Sequence, residues 1–476
     1  MTTEIVVARR PTHGEPRPYQ FPRFERHELA NGLGLITVDL PGRALVTASL
    51  VLPSGAVDEP EEMGGVTSLM ARAMTEGTAK RDAIELTEAS ERLGASLHAE
   101  AGWDGLSVSV EVPAERLSEA LELAAEVAIE PSFPAADVER LRDERLNDLL
   151  QAKADPRRRA DDGFVETIYA PGSTYGRPSG GTEATVPSLD ADACRAIHGR
   201  RLDPARMTLI VGGDLDAVGE DIRGIVESRF GAWPRNPTAE PATEPHGTAA
   251  RDERIVRVIH RPGSVQTEIR VGHLGVRRRI PDFHAVSVMS AILGGLFNSR
   301  LNRKLREEKG YTYGAGAGFD MRRGVGPFAV RAAVNTDVTV PAVQDILVEL
   351  EAMRAGPPST AELHAARDFL VGVFPLRFET PPAVVGAIAG LLIHDLPMDE
   401  LDRYRPAIEA VSGGDVEKAA REHIDPAQLA IVLVGDADAI LPSLEGAEIG
   451  PIVVDREELP GQTPGGPPGE GAANAA

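Results

Sequence analysis

Residues 203–217 read Asp-Pro-Ala-Arg-Met-Thr-Leu-Ile-Val-Gly-Gly-Asp-Leu-Asp-Ala, and residues 425–439 read Asp-Pro-Ala-Gln-Leu-Ala-Ile-Val-Leu-Val-Gly-Asp-Ala-Asp-Ala. Each stretch is a turn, then a short continuous apolar run, then an acidic turn. An apolar run of that length reads as a buried strand, and the aspartates after it suit the opening of a helix. The two copies lie about 220 residues apart. That separation is far above the 20 to 50 residues or so of a solenoid repeat, so it implies two domain-sized copies.

Other elements recur in the same order. Leu106 to Val112 alternates like a strand, and the apolar periodicity of Leu117 to Ile129 follows as a helix. In the second half Phe328 to Val334 is the strand and Val340 to Met353 the helix. Pro-containing loops then lead to further helices, starting near Pro134 and near Ser359, where Ser or Thr can cap the second. The expected fold class is α+β: two duplicated domains, each a mostly antiparallel sheet backed by helices. The expected boundaries are an extended arm at 1–24, a first domain at 25–234, a Pro-containing linker at 235–251 and a second domain at 252–445. A disordered Pro/Gly tail is expected at 459–476.

Composition limits the function classes. The 476 residues suit two to four domains, and 42% hydrophobic content suffices for real cores. With only 4% aromatics, those cores must be built from Leu, Val, Ile and Ala. The formal charge of 50 − 73 = −23 disfavours nucleic acid and anionic membrane as partners. Cys194 is the only cysteine, which excludes an internal disulfide and reads as a buried, inert thiol. No signal-peptide pattern and no run of about 20 apolar residues are visible, so a cytoplasmic protein is expected.

The densest motif lies in the second half. Pro262-Gly-Ser-Val-Gln266 and Pro281-Asp-Phe283 precede residues 292–301, Ile-Leu-Gly-Gly-Leu-Phe-Asn-Ser-Arg-Leu, and residues 304–314, Lys-Leu-Arg-Glu-Glu-Lys-Gly-Tyr-Thr-Tyr-Gly. This run resembles the C-terminal half of the pitrilysin/insulinase family of zinc peptidases, which includes mitochondrial processing peptidase. The resemblance implies two duplicated sheet-and-helix halves forming one side of a clamshell around a chamber. It also implies that a peptide substrate adds as a strand to a sheet edge.

The family's chemistry needs H-x-x-E-H on a helix, two His for zinc and a Glu to activate water, with a third ligand about 76 residues on. Gly65-Val66 and Gly77-Thr78 set the register of the equivalent helix here. Ser68 then stands at the first His, Ala71 at the base and Arg72 at the second His, and the downstream ligand position falls near Asp148. Ser is a poor zinc ligand, Ala accepts no proton, and Arg72 places a permanent positive charge where the ion would sit. An ion pair between Arg72 and Asp148 is the expected filling of the site. The 11 His are scattered with no two four apart, so no metal is expected in this chain.

In the resemblance, Arg306 and Tyr313 keep the spacing of a pair that reaches into the chamber from the half opposite the zinc. A guanidinium and a phenol aimed there stabilise the charge that develops on a peptide oxygen under attack. The plainer reading makes Arg306 part of a solvated basic helix and Tyr313 a surface residue, with Tyr311 a competitor on the same face if that stretch is a strand. Gly294 and Gly295 end or bend the helix from Ala285 to Leu293, and the resemblance puts them at the substrate chamber. The run from Gly314 to Gly318 follows a helix and lacks a Lys-Ser/Thr ending, so it reads as a small-residue strand and not a phosphate loop. The sequence thus points to a non-catalytic subunit that completes the chamber of a homologous, zinc-bearing partner acting on peptides. The alternative is a structural or peptide-binding scaffold of the same fold.

Overall fold

A computed structural model describes Gly14 and residues 17–456. The expected tail at 459–476 and most of the first sixteen residues lie outside the described residues. The first half contains β1 (Phe24–Glu28), β2 (Gly34–Asp39), β3 (Leu45–Leu52), β4 (Ser96–Ala101), β5 (Leu106–Pro113) and β6 (Thr208–Gly213). The second contains β7 (Ile255–His260), β8 (Gln266–Leu274), β9 (Ala315–Phe319), β10 (Pro327–Asn335), β11 (Ala430–Gly435) and β12 (Ile452–Asp455). The strands form two mixed sheets, ordered β1-β2-β6-β3-β5-β4 and β12-β7-β11-β8-β10-β9.

The duplication is visible strand by strand. β6 and β11, the two copies of the opening motif, each pair in parallel with one neighbour and antiparallel with the other. The remaining inner pairings are antiparallel in both sheets. Only the sixth strands differ: β1 pairs antiparallel with β2, whereas β12 pairs parallel with β7. β12 lies beyond 445, where the sequence reading ended the second domain, because four residues among Pro, Gly and Glu carry too little pattern to signal a strand.

Each sheet has its own helical layer. Helix Leu117–Ile129 lies on β5 in the first half, and helix Thr339–Ala355 lies on β8 and β10 in the second. Helix Thr360–Val373 begins with the expected cap, since Ser359 and Glu362 form a reciprocal capping box. Helix Ala135–Ala154 begins after Pro134 without a side-chain cap.

The opposite face of each sheet is covered by a helix from the other half. Helix Pro381–Ile393 packs on β3 and β6 of the first sheet, and helix Pro156–Ile168 packs on β8 and β11 of the second. Val384, Val385 and Ile388 share a core with Ile36, Val38, Val51 and Ile210. Phe164 and Ile168 share one with Val432, Val434, Ile255 and Ile259. β6 and β11 are therefore buried on both faces, which is why they read as unbroken apolar runs. The same exchange explains why helix Pro381–Ile393 carries no charge.

The linker is stitched down and not loose. Asp58 Oδ1 accepts hydrogen bonds from the Thr243 N–H at 2.6 Å and the Thr243 hydroxyl at 2.8 Å. Tyr169 bridges to Ala249 as an isolated β-pair. The described part of the arm crosses to the second half: Tyr19 stacks 6.4 Å from Phe378, and Phe21 meets the same ring edge-on at 5.1 Å.

Candidate functional site

The first candidate centre is helix Val66–Ala73. Its entry is held by Glu59, which accepts from the Gly65 N–H at 2.9 Å and the Thr67 N–H at 2.6 Å and pairs with Arg177 at 2.8 Å. A carboxylate there complements the positive end of the helix. Burial holds the Glu59 carboxyl above the usual carboxylate range, and Arg177 with the two N–H groups offsets only part of that rise.

The residues that the sequence register puts at the H-x-x-E-H positions have side chains that do not suit zinc. Ala71 is 0% exposed inside the first core, and Ser68 is half-buried. Arg72 does not pair with Asp148, contrary to the sequence expectation. Its guanidinium donates to Glu144, one helical turn earlier, at 2.8 Å. Glu144 also takes Arg140 at 2.8 Å, and Arg140 reaches Glu76 at 2.7 Å. Arg140 and then Arg72 hold the Glu144 carboxyl below the usual carboxylate range. Asp148 is occupied by Arg158 at 2.9 Å and by Arg145, which depress its own pKa, Arg158 most. Spacing singled out Asp148 as the downstream position. Which carboxylate meets Arg72 depends on how helix Ala135–Ala154 lies across helix Val66–Ala73, and a count along the chain does not supply that.

Among the described residues, two groups come within metal-ligand spacing: His260 with Asp436 and Asp438, and Asp282 with Glu422 and His423. Both are already used locally. Asp436 caps the helix that starts at Ala437, Asp438 pairs with Arg456, and His423 Nε2 lies 2.7 Å from Asp282.

The second candidate centre is a groove of about 1080 Å³ beside β8, β9 and β10, and it contains both Arg306 and Tyr313. Arg306 lies where the helix Arg300–Asn302 widens into a π-helical turn over Arg303–Glu308. Such wider turns are frequent at functional sites. Leu301 and Leu305 point into the second core, which leaves Arg306 on the outer side. Its guanidinium carbon sits 4.4 Å from the Phe297 ring centroid, and its Nε lies 3.4 Å from Glu307. Arg300 is fixed by Glu362 at 2.7 and 3.1 Å, so the helix is anchored by one arginine and presents another.

The two tyrosines part company. Residues 310–314 form a loop and not a strand, entered through Gly310 at φ +65°, a left-handed turn that favours glycine. Tyr311 packs against the second core, whereas Tyr313 is 99% exposed. A shared face required a strand, and the loop at 310–314 removes that condition.

Gly294 is buried within a π-turn over Ala291–Gly295; a Cβ there would fall 2.2 Å from the Ala317 backbone nitrogen. Its role is close packing against β9, so it is not available to a substrate as the sequence reading had it. Gly295 is exposed. Sequence reasoning missed Asn302, whose amide donates to the Leu296 carbonyl at 3.2 Å and accepts from the Ala315 N–H at 2.8 Å. It ties the loop carrying Phe297 to the helix carrying Arg306 and to β9. Its place one turn before Arg306 was the available signal.

Residues 35–178 match the family described as insulinase, peptidase family M16, and residues 188–370 match the Peptidase M16 inactive domain. The chain belongs to the M16 insulinase family. An uncharacterized zinc protease of Mycobacterium leprae is 24% identical over 74% of this chain and 79% of its own length. A non-peptidase homolog from Helicobacter pylori is 22% identical over 80% of this chain and 87% of its own. The fold matches a crystal structure described as a peptidase M16 inactive domain from Pseudomonas fluorescens. That match has TM-score 0.79 and 24% identity and covers 87% of this chain and 98% of the other. A protease from Helicobacter pylori superposes with TM-score 0.75 at 19% identity, over 87% of this chain and 99% of its own.

Proposed function

We propose that this M16 chain is the non-catalytic subunit of a two-chain zinc endopeptidase. It completes the peptide chamber of a homologous subunit that carries H-x-x-E-H and the zinc. The observation that carries the reading is the pairing of opposites. The metal positions are filled by a buried alanine and an ion-paired arginine, while Arg306 and Tyr313 share an open groove. A half-exposed guanidinium and an exposed phenol can close on a carbonyl presented by a second chain and stabilise charge developing on its oxygen. Relatives named as zinc proteases, together with one named a non-peptidase homolog, fit a family in which chains with and without the motif coexist.

Mixing the purified chain with an M16 chain that bears H-x-x-E-H and following cleavage of a peptide library tests the proposal. The chain alone is expected to show no peptidase activity, and the mixture to cleave. Arg306→Ala is expected to lower turnover of the mixture by about tenfold or more, with KM changing less. Unchanged turnover in the variant would remove Arg306 from the mechanism. A scaffold role would be supported if stable association occurred without any gain in cleavage.

A further inference from the structure

The groove around Arg306 is cationic in a protein whose net charge is −23. Its charged lining is Arg157, Glu268, Arg270, Arg306 and Arg331. Arg270 is 1% exposed and neutralises the nearby acids: it bonds Asp161 at 2.7 Å and Glu268 at 2.9 Å, and donates to the Arg157 carbonyl at 3.1 Å. With those carboxylates engaged, the other arginines face the groove with little compensation. Arg331 is half-exposed, and its one acidic partner among the described residues is Asp161, already shared, at 3.4 Å. Arg306, stacked on Phe297, has its sequence neighbour Glu307 as its one acidic partner among the described residues. The Arg157 side chain is exposed and forms no ion pair among the described residues.

Backbone geometry supplies the second part of the argument. β9 is the last strand of the second sheet, so its far side has no strand partner among the described residues. Its sequence, Ala-Gly-Ala-Gly-Phe, carries none of the charges or prolines that protect edge strands from pairing. Arg157 enters the same groove from the first half, at the start of helix Pro156–Ile168. The cationic surface is therefore assembled only when the two halves exchange helices.

We infer that this groove selects acidic segments of an extended peptide, with Arg157 and Arg331, both grouped about Arg270, reading carboxylates in the same groove as Arg306. This deepens the proposed function and rests on it for the identity of the ligand as a peptide substrate. Guanidiniums flanking an edge strand recognise Asp or Glu side chains by paired N–H···O bonds and repel Lys and Arg.

Binding to the full chain alone tests this without any catalytic readout. A fluorescent peptide alternating Glu and Ser is compared, by anisotropy, with an otherwise identical peptide alternating Lys and Ser. The acidic peptide is expected to bind at least about tenfold more tightly, weakening as salt rises. The double substitution Arg157→Glu, Arg331→Glu is expected to lower its affinity about tenfold or more; the same change at the exposed Arg92, remote in sequence and paired only with Glu88, is expected to leave it unchanged. Circular dichroism confirms that each variant is folded. Equal binding of the two peptides, no binding of either, or acidic binding indifferent to the double substitution would each overturn the inference. Acidic-peptide binding without cleavage in the two-chain mixture would leave the groove assignment standing and remove the proteolytic role.

Discussion

Arg72 and Arg306 show how little a residue type says without its partners. Both are half-exposed arginines at positions that the sequence reading singled out. Arg72 is locked into a ladder with Glu144, Arg140 and Glu76, while Arg306 rests on an exposed phenyl ring. The ladder is solvent-facing, so Arg72→Ala is expected to change stability by less than about 1 kcal/mol in urea unfolding. Glu362 differs, because Arg300 and the Ser359 N–H and hydroxyl hold its carboxyl down to about 2. A depressed folded-state pKa contributes stability above the unfolded value near 4.5, and that stability is lost as pH falls from there toward 2. Glu362→Gln is expected to remove on the order of 1–2 kcal/mol at pH 7, after allowance for solvent screening, and to flatten the acid limb of the stability profile between those two values. Burial pushes the Cys194 thiol up to about 12. Native protein at pH 8 is expected to resist a thiol reagent that labels the unfolded chain within minutes. The arginine and tyrosine positions were legible from spacing. Tyr313 as the outward member of its pair was not, since facing depends on whether the backbone is strand or loop.

At the scale of elements, the two exchanged helices decide the architecture. Helix Pro381–Ile393 covers the first sheet with Val384, Val385 and Ile388, all at 2% exposure or less. Removing a buried aliphatic side chain costs the transfer energy of the lost carbons plus the cavity they leave. Ile388→Ala is therefore expected to destabilise the protein by about 2–5 kcal/mol in denaturant unfolding, although Ile388 belongs to the second half and its cavity opens on the first. The helix and strand identities of both halves were readable because periodicity is local. The π-turns at Ala291–Gly295 and Arg303–Glu308 were not, because they come from fitting the glycine pair and the Arg306 segment against β9 and the second core.

For the molecule as a whole, the helix exchange makes the halves interdependent. Loop residues Arg323 and Gly324 donate backbone hydrogen bonds to Asp104 at 3.0 Å and to the Tyr175 hydroxyl at 3.0 Å, across the same junction. A fragment ending near 234 would expose the apolar face of β3 and β6. It is expected to aggregate or to bind the complementary fragment, and the intact chain to unfold in one transition by both circular dichroism and tryptophan fluorescence. Two separated transitions would show that the halves are autonomous.

The sequence by itself determined the duplication and the sheet-and-helix class, and it set the register from which the absence of zinc ligands is expected. These rest on local patterns: apolar runs, caps and side-chain types that do or do not bind metal. Only the tertiary structure decided that the paired runs at 208–213 and 430–435 are apolar throughout because each is sandwiched under a helix of the other half. It also decided that Arg72 meets Glu144 and that Arg157 joins Arg306 in one groove. The physical reason is common to all three. Each is a contact between residues far apart in the chain, set by how helices cross sheets and one another, and no periodicity along a single element encodes that crossing.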